Sequence, residues 1–460
     1  MMTVNEQILY LKKNLNGTRI SVIGAAKSGI SAAKLAVKHG AKVFVSEKYK
    51  MDEAVRQQLS NHHILYEDGG HSERVLNSDL IILSPGVPQN IPILLKAKEK
   101  HIPIISEIEF GFWFEKGFVI AITGSQGKTT TTTLIGQLMD AGSKKFFMGG
   151  NIGIPYCDFV EQTKPDTISV LEVSSFQLET IYQFRPEIIV ITNLTPNHLD
   201  RYKDFEDYVQ AKMQIFKNIS SETAIVYNLD DPVSNDVLKS FLSIGRGYPF
   251  TLQANKRAAA FVEGEEIKLN IGGEITSVMK KNQTKLKGNH NLYNIVASAT
   301  VARLVKIDFS SMIDVFSHFE GIEHRLEFVK DLNGVLFYND SKATTVSSLR
   351  YALESFANPI ILIAGGKDKG GSFVSIQPLV SSKVKKAILI GESRQRIFNE
   401  WKGATEMEFA DSLEEAVKKA YKAASENDVV LLSPACSSFD MFKNYEERGN
   451  RYKYLVNQLK

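Results

Sequence analysis

The sequence predicts an α/β protein of tandem, doubly wound parallel sheets, and three observations carry that prediction. Short apolar, β-branched runs alternate with amphipathic segments along the whole 460-residue chain, which is the pattern of βαβ units. The alternation restarts after SEIEFGFWFEKG (106–117) and again near Gly321. One strand runs directly into a glycine loop and then a helix, an arrangement that cradles phosphate.

Taken in order, ISVIG (20–24), KVFVS (42–46) and LIILS (80–84) read as strands, with helical stretches such as SAAKLAVKHG between them. They make a small, Rossmann-like first domain over 1–106. FVIAIT (118–123) opens a second series, continued by TISVLEV, EIIVITN and TAIVYN, each ending in a polar or glycine-containing turn. This is the largest unit, a central P-loop ATPase-like domain over 107–323. GVLFYND, PIILIAGG, KKAILIG and DVVLLSPA, separated by helical segments such as SLEEAVKKAYKAA, form a third, Rossmann-like domain over 324–460. No short-period repeat and no low-complexity segment interrupts the series.

Bulk properties narrow the function. With 43% hydrophobic residues the chain can bury several cores. Its net charge of +3 is spread along the sequence, with basic pairs such as Lys144-Lys145 and Lys280-Lys281 and no long basic tract, so nucleic acid is not an expected partner. No run approaches the roughly 18 apolar residues that span a bilayer, and the opening MMTVNEQILYLKKNLNG lacks the apolar core of a signal peptide. Membrane is therefore not an expected partner either. Cys157 and Cys436 are too few for a disulfide framework and lack metal-ligand spacing. A reducing cytoplasm is the expected location.

The most informative stretch is FVIAIT followed by Gly124, Ser125, Gln126, Gly127, Lys128, Thr129 and Thr130 and the helical TTTLIGQLMDAG. Glycines let successive backbone N–H groups face phosphate oxygens, Lys128 reaches the terminal phosphates, and the Thr129 hydroxyl suits magnesium. The loop is a short form of the usual spacing, because Ile122 stands where GxxxxGK[ST] has its first glycine. Downstream, Glu172 and Ser174 fall near the end of one strand and His198 and Asp200 just past the next, where open α/β sheets bind ligands. Glu172 and His198 could converge on magnesium beside the phosphates. A glycine loop alone fits kinases, motors and ligases equally. Gly24-Ala25-Ala26-Lys27-Ser28-Gly29 also resembles a dinucleotide fingerprint, which would make the chain an oxidoreductase. Ala26, in place of the glycine that admits a pyrophosphate, weakens that reading.

The strings TGSQGKTTTT, GGNIGIP, LEVSSFQLE, NHLDRY, LKGNHNLYN, EHRLE, NDSKATT, GGKDKGG and LLSPACSSFDMFKNYEERG occur in the order and spacing of a known family. On them the chain resembles the Mur ligases, amino-acid-adding enzymes of peptidoglycan precursor synthesis. LEVSSFQLE, NDSKAT and SPACSSFD point to the D-glutamate-adding branch, and a DNPR-like string of the diaminopimelate- or lysine-adding branch is absent. The alternative is another amino-acid-adding Mur-type or folylpolyglutamate-type ligase. Gln126 replaces the usual loop Asn, and Asn197 stands where Asp is common before the His.

The resemblance implies an ATP- and Mg2+-dependent ligase that joins D-glutamate to UDP-N-acetylmuramoyl-L-alanine through an acyl phosphate, acting as a monomer. It implies that Thr129 and Glu172 hold one magnesium ion and His198 with Lys212 the other, Lys212 as a carbamate. Lys128, Glu172, His198 and Lys212 then form the catalytic set. On its own, Lys212 reads as a solvated helix lysine. The resemblance further assigns Asn291, Asn294, Arg325 and Asp340 to ATP. To the UDP substrate it assigns Ser28, Glu47, Lys48, Gly86, Asn151, Ser174 and His198. Lys342, Thr344, Lys369, Ser438 and Tyr445 fall to D-glutamate, a dicarboxylate that needs cationic and hydroxyl partners. Cys436 has no base near it in sequence and reads as a small buried residue.

Overall fold

The computed structural model describes residues 2–196, 201–286, 288–356, 358–368 and 371–460, with Ser347 by its backbone alone. It divides into two compact units, Met1–Phe319 and Glu320–Lys460.

The first unit holds two sheets. β1 (Arg19–Ile23), β2 (Lys42–Glu47), β3 (Leu65–Asp68), β4 (Leu80–Leu83) and β5 (Ile104–Ser106) pair in the order β3-β2-β1-β4-β5. Every pairing is parallel. Parallel strands are covered on both faces, so the central strands are continuous apolar runs; Ile20, Val22, Ile23 and all of Leu80–Leu83 are buried. The chain order reverses between β1 and β4, and their carboxyl ends are where such a sheet binds ligands.

The second sheet contains β6 (Phe118–Thr123), β7 (Lys145–Gly150), β8 (Thr167–Glu172), β9 (Ile188–Ile191), β10 (Ala224–Asn228), β11 (Arg246–Phe250), β12 (Ala260–Glu263), β13 (Glu266–Asn270) and β14 (Ile275–Lys280). Their order is β14-β13-β12-β11-β10-β9-β6-β8-β7. β6 to β12 pair in parallel, and β12, β13 and β14 close one edge as an antiparallel meander. β6 lies between β8 and β9. That placement brings the glycine loop after β6 beside the ends of the strands carrying Glu172 and the Thr192-Asn193 turn.

One apolar cluster runs through both sheets, from Ile8 through Val22, Ile108, Phe110, Val119, Tyr156 and Leu171 to Ile225. The short helix Glu107–Phe112 reinforces it. The Glu109 carboxylate, fully buried, accepts from Trp113 Nε1 at 3.0 Å and from the backbone N–H groups of Tyr182 at 2.9 Å, Gln183 at 3.0 Å and Phe184 at 2.9 Å. A buried carboxylate with several donors is a strong tie between the segments that supply them.

The second unit is a sheet of β15 (Glu327–Leu332), β16 (Val335–Asn339), β17 (Ile360–Gly365), β18 (Val384–Ile390), β19 (Glu406–Phe409) and β20 (Val429–Leu432), ordered β15-β16-β20-β17-β18-β19. Only β15 runs antiparallel to its neighbour. Apolar clusters lie on both faces, one around Leu362, Trp401 and Leu431, the other around Ile361, Leu432 and Tyr452. Among the described residues no helix is long and apolar enough to cross a membrane.

Candidate active site

The glycine loop is built by backbone geometry that only its sequence allows. Gly124 at φ 142° and Gly127 at φ 78° lie in the left-handed region, which a side chain disfavours. A Cβ on Gly124 would meet Thr192 Oγ1 at 2.0 Å, and one on Gly127 would meet Asn294 Oδ1 at 2.4 Å. Gly127 precedes the helix Lys128–Ala141, whose first turn exposes N–H groups with no intrahelical partner.

The turn after β9 fixes the loop from beside. Ser125 N–H donates to Asn193 O at 2.8 Å and Gln126 N–H to Asn193 Oδ1 at 3.0 Å, while Thr192 Oγ1 donates to Gln126 O at 2.5 Å. Ser125 Oγ donates to Thr195 O at 2.8 Å and accepts from Tyr208 OH at 3.0 Å. Lys128 Nζ donates to the carbonyls of Gly124 at 2.9 Å and Ser125 at 3.0 Å, folding back over the loop it serves. Thr129 and Thr130 are buried beneath. From the far side, Asn294 Oδ1 accepts from Thr131 Oγ1 at 3.2 Å and its Nδ2 donates to Asn291 Oδ1 at 3.3 Å. Both asparagines therefore belong to the wall of the loop.

Glu172 ends β8 with 2% of its surface exposed. Its Oε1 accepts from Asn151 Nδ2 at 2.9 Å, whereas Oε2 is buried without a hydrogen-bond partner among the described residues. Such an oxygen costs free energy unless something else binds it. Ser174, two residues on, caps the helix Ser175–Leu178 reciprocally with Gln177.

Lys212 lies on the helix Phe205–Met213, capped by Asp204, whose buried residues are Tyr208, Val209, Lys212 and Met213. The plain reading of Lys212 as a solvated lysine is corrected here: the spacing from Tyr208 puts it on the inward face, 2% exposed. Its amine lies 3.5 Å from Thr123 Oγ1 and 4.8 Å from the centroid of the Tyr208 ring. Burial drives its pKa well below the usual lysine value, the Lys128 charge adds to that, and Glu172 opposes it. Lys128, Glu172 and Lys212 thus share one electrostatic neighbourhood. A buried carboxylate oxygen without a hydrogen-bond partner among the described residues, beside a threonine hydroxyl and a phosphate-cradling loop, suits a hard divalent cation. His198 lies outside the described residues.

At the switch point of the first sheet, Ser28 is in the first turn of the helix Lys27–Lys38. Glu47 Oε2 accepts from Ala25 N–H at 2.7 Å, holding the loop after β1. Lys48 is exposed, its Nζ 5.1 Å from the Tyr49 ring centroid. Gly86 is exposed and a Cβ there would meet nothing within 4 Å, so its backbone is open to a ligand.

In the second unit, Lys342 Nζ lies 5.7 Å from the Tyr445 ring centroid. Asp340, buried, accepts from Ser433 Oγ at 2.8 Å and Leu326 N–H at 3.2 Å, and burial pushes its carboxyl up to about 7, against the pull of Ser433 and Arg325. Arg448, 1% exposed, donates to Ser341 Oγ at 3.0 Å, Ser341 O at 2.8 Å and Cys436 O at 3.1 Å. Lys367 and Ser437 exchange backbone hydrogen bonds. The loops carrying Lys342, Thr344 and Ser438 and the start of the helix bearing Tyr445 are thereby tied together. Lys369 lies outside the described residues. Cys436 is buried, its thiol pushed up to about 11 by burial, as expected for a packing residue. Thr192, Asn193, Thr195, Tyr208 and Arg448 did not stand out in the sequence; the TNLTP turn (192–196) directly after a buried strand was the available signal for the first three.

Comparison with known proteins agrees with this layout. Residues 19–91 match the MurD N-terminal domain, 122–302 the Mur ligase middle domain, and 324–436 the Mur ligase glutamate ligase domain. The UDP-N-acetylmuramoylalanine–D-glutamate ligase of Caldicellulosiruptor saccharolyticus is 42% identical over 456 residues, covering 97% of this chain and 100% of that one. That of Salinibacter ruber is 42% identical over 451 residues, covering 96% and 98%. Among solved structures, a pseudomurein peptide ligase type C from Methanothermus fervidus aligns with a TM-score of 0.58 at 20% identity, covering 96% of this chain and all of that one. The MurF ligase of Thermotoga maritima in complex with ADP aligns at 0.56 and 17% identity, covering 97% of each. With three Mur ligase domains matched in order and full-length similarity to D-glutamate ligases, the chain belongs to the Mur ligase family, on its UDP-N-acetylmuramoylalanine–D-glutamate ligase branch.

Proposed function

We propose that the protein uses ATP to join the amine of D-glutamate to the terminal carboxylate of UDP-N-acetylmuramoyl-L-alanine, and that it does so as a monomer in the cytoplasm. The observation that carries the chemistry is the convergence of half-buried Lys128 with buried Glu172 and Lys212 around a glycine loop, with one Glu172 oxygen left without a hydrogen-bond partner among the described residues. An ionised carboxylate resists attack by an amine, so it must first be activated. Its oxygen attacks the γ-phosphorus, the bond to the ADP oxygen breaks, and an acyl phosphate results. The deprotonated D-glutamate amine then attacks the acyl carbon, and phosphate leaves from the tetrahedral intermediate. Lys128 and the N–H groups of the first turn of the helix Lys128–Ala141 offset the charge of the approaching anions and align the reacting oxygens.

Thr129 and Glu172 would hold one magnesium ion, and His198 and Lys212 a second; magnesium would neutralise phosphate charge and draw electron density from the γ-phosphorus. For Lys212 to serve, its amine adds carbon dioxide and releases a proton, giving an anionic carbamate; the lowered pKa favours the neutral amine that this addition requires. Asn291, Asn294, Arg325 and Asp340 are assigned to ATP. Ser28, Glu47, Lys48, Gly86, Asn151, Ser174 and His198 are assigned to the UDP substrate, and Lys342, Thr344, Lys369, Ser438 and Tyr445 to D-glutamate. In this reading 1–106 takes the UDP group, 107–323 takes ATP and 324–460 takes the amino acid. Incubation with ATP, magnesium, D-glutamate and the UDP substrate should yield a product heavier by one glutamyl residue, measured by mass spectrometry. Absence of that product while ATP is consumed would overturn the proposal.

A further inference from the structure

We infer that Arg201 is a positioning residue for the UDP substrate, holding the Gly86 loop of the first sheet in register with the catalytic strand ends of the second. This rests on the function proposed above. Arg201 Nη1 donates to Pro85 O at 3.0 Å and Nη2 to Val87 O at 3.1 Å, so one guanidinium holds the carbonyls on both sides of Gly86. The opposite side of the same loop is fixed by Ser84 Oγ, which donates to Gly24 O at 3.0 Å across the switch point. Between these ties the Gly86 backbone is exposed and has open space where a Cβ would be.

The other face of Arg201 belongs to the catalytic sheet. Its guanidinium carbon lies 3.7 Å from the centroid of Phe176, on the helix capped by Ser174 just after Glu172. It faces Glu179 at 3.8 Å, with 15% of the Arg201 side chain and 16% of the Glu179 side chain exposed. Glu179 accepts in turn from Gln89 Nε2 at 2.7 Å, three residues beyond Gly86, and from the Tyr202 hydroxyl. Arg201 also lies in the segment leading to the helix that bears Lys212. A planar fork can hold two carbonyls while stacking on a ring, and a lysine ammonium cannot do both. The arrangement fixes the distance between the loop that meets the nucleotide end of a long substrate and the strand end where its carboxylate is activated.

The test uses the full-length enzyme and its Arg201→Lys and Arg201→Ala variants. Steady-state kinetics would be measured for all three substrates, with calorimetric binding of UDP-N-acetylmuramoyl-L-alanine in the absence of ATP. Folding would be checked by thermal unfolding, and Arg201→Lys decides the matter if the alanine variant does not fold. We expect KM and Kd for the UDP substrate to rise about tenfold or more, while KM for ATP and for D-glutamate stays within about twofold. An unchanged KM and Kd for the UDP substrate in a folded variant, or an equal rise in all three KM values, would overturn the inference. If the wild-type enzyme binds the UDP substrate but adds no D-glutamate, the proposed function fails, and the calorimetric comparison still decides the role of Arg201.

Discussion

Lys212 is buried beside Lys128 on a helix whose outer face is charged, and a lysine left there unmodified would be held mainly by a 3.5 Å contact with Thr123. Burial disfavours the charged form of such a group, and in the proposed function a carbamate on it would supply the oxygens that a cation site needs. Lys212→Ala should lose activity by about a hundredfold or more and regain part of it with a short-chain carboxylic acid that fills the vacated space, while Lys212→Arg should stay inactive despite keeping the charge. Full activity of the arginine variant in a phosphate-release assay would contradict this. Its residue type and its helix were legible in the sequence, but its surroundings were not. Tyr208 and Val209 precede it at helical spacing, yet the same pattern occurs in helices whose lysines reach water. Arg201 was harder still, since both of its carbonyl partners lie more than a hundred positions away in the chain.

At the scale of elements, the central strands of each sheet were legible because both faces are buried and the runs are continuously apolar, as in IIVI of β9 or IILIAG of β17. Edge strands were not. β14, ITSVMK, has exposed or half-buried residues at four of its six positions, and β15, EFVKDL, has no fully buried residue, so neither stands out from a loop without its partner. The helix Glu107–Phe112 carries a further consequence. Glu107 is fully buried, with Oε1 accepting from Cys157 N–H at 2.8 Å and Oε2 without a hydrogen-bond partner among the described residues, and burial raises its pKa from 4.5 to about 7. The folded protein holds this proton more tightly than the unfolded chain. Its contribution is therefore fully present below about pH 4.5 and is lost as pH rises through about 7. Glu107→Gln should match the wild type in stability near pH 4.5 and exceed it near pH 8, by at most about 3 kcal/mol. Parallel unfolding profiles of the two proteins across that range would count against this state of Glu107.

At the scale of the whole molecule, the glycine loop with Glu172 and Lys212 lies in the first unit, while Lys342, Ser438 and Tyr445 lie in the second. Removing a hydroxyl from the second unit should therefore weaken amino-acid binding more than nucleotide binding. Ser438→Ala should raise KM for D-glutamate about tenfold and that for ATP less than about twofold. An equal rise in both would mean that Ser438 shapes its loop instead. The three sheets were apparent as restarts in the strand pattern, but the packing of the first two around one continuous cluster depends on side chains far apart in sequence, which periodicity does not reveal.

The most direct measurement is phosphate release from ATP with the UDP acceptor and each amino acid supplied in turn, D- and L-glutamate among them. Rapid, sustained release should require both the acceptor and D-glutamate, and should stop when either is withheld. Release that proceeds equally with L-glutamate, or with neither amino acid nor acceptor, would contradict the assignment of this chain as a D-glutamate-adding ligase.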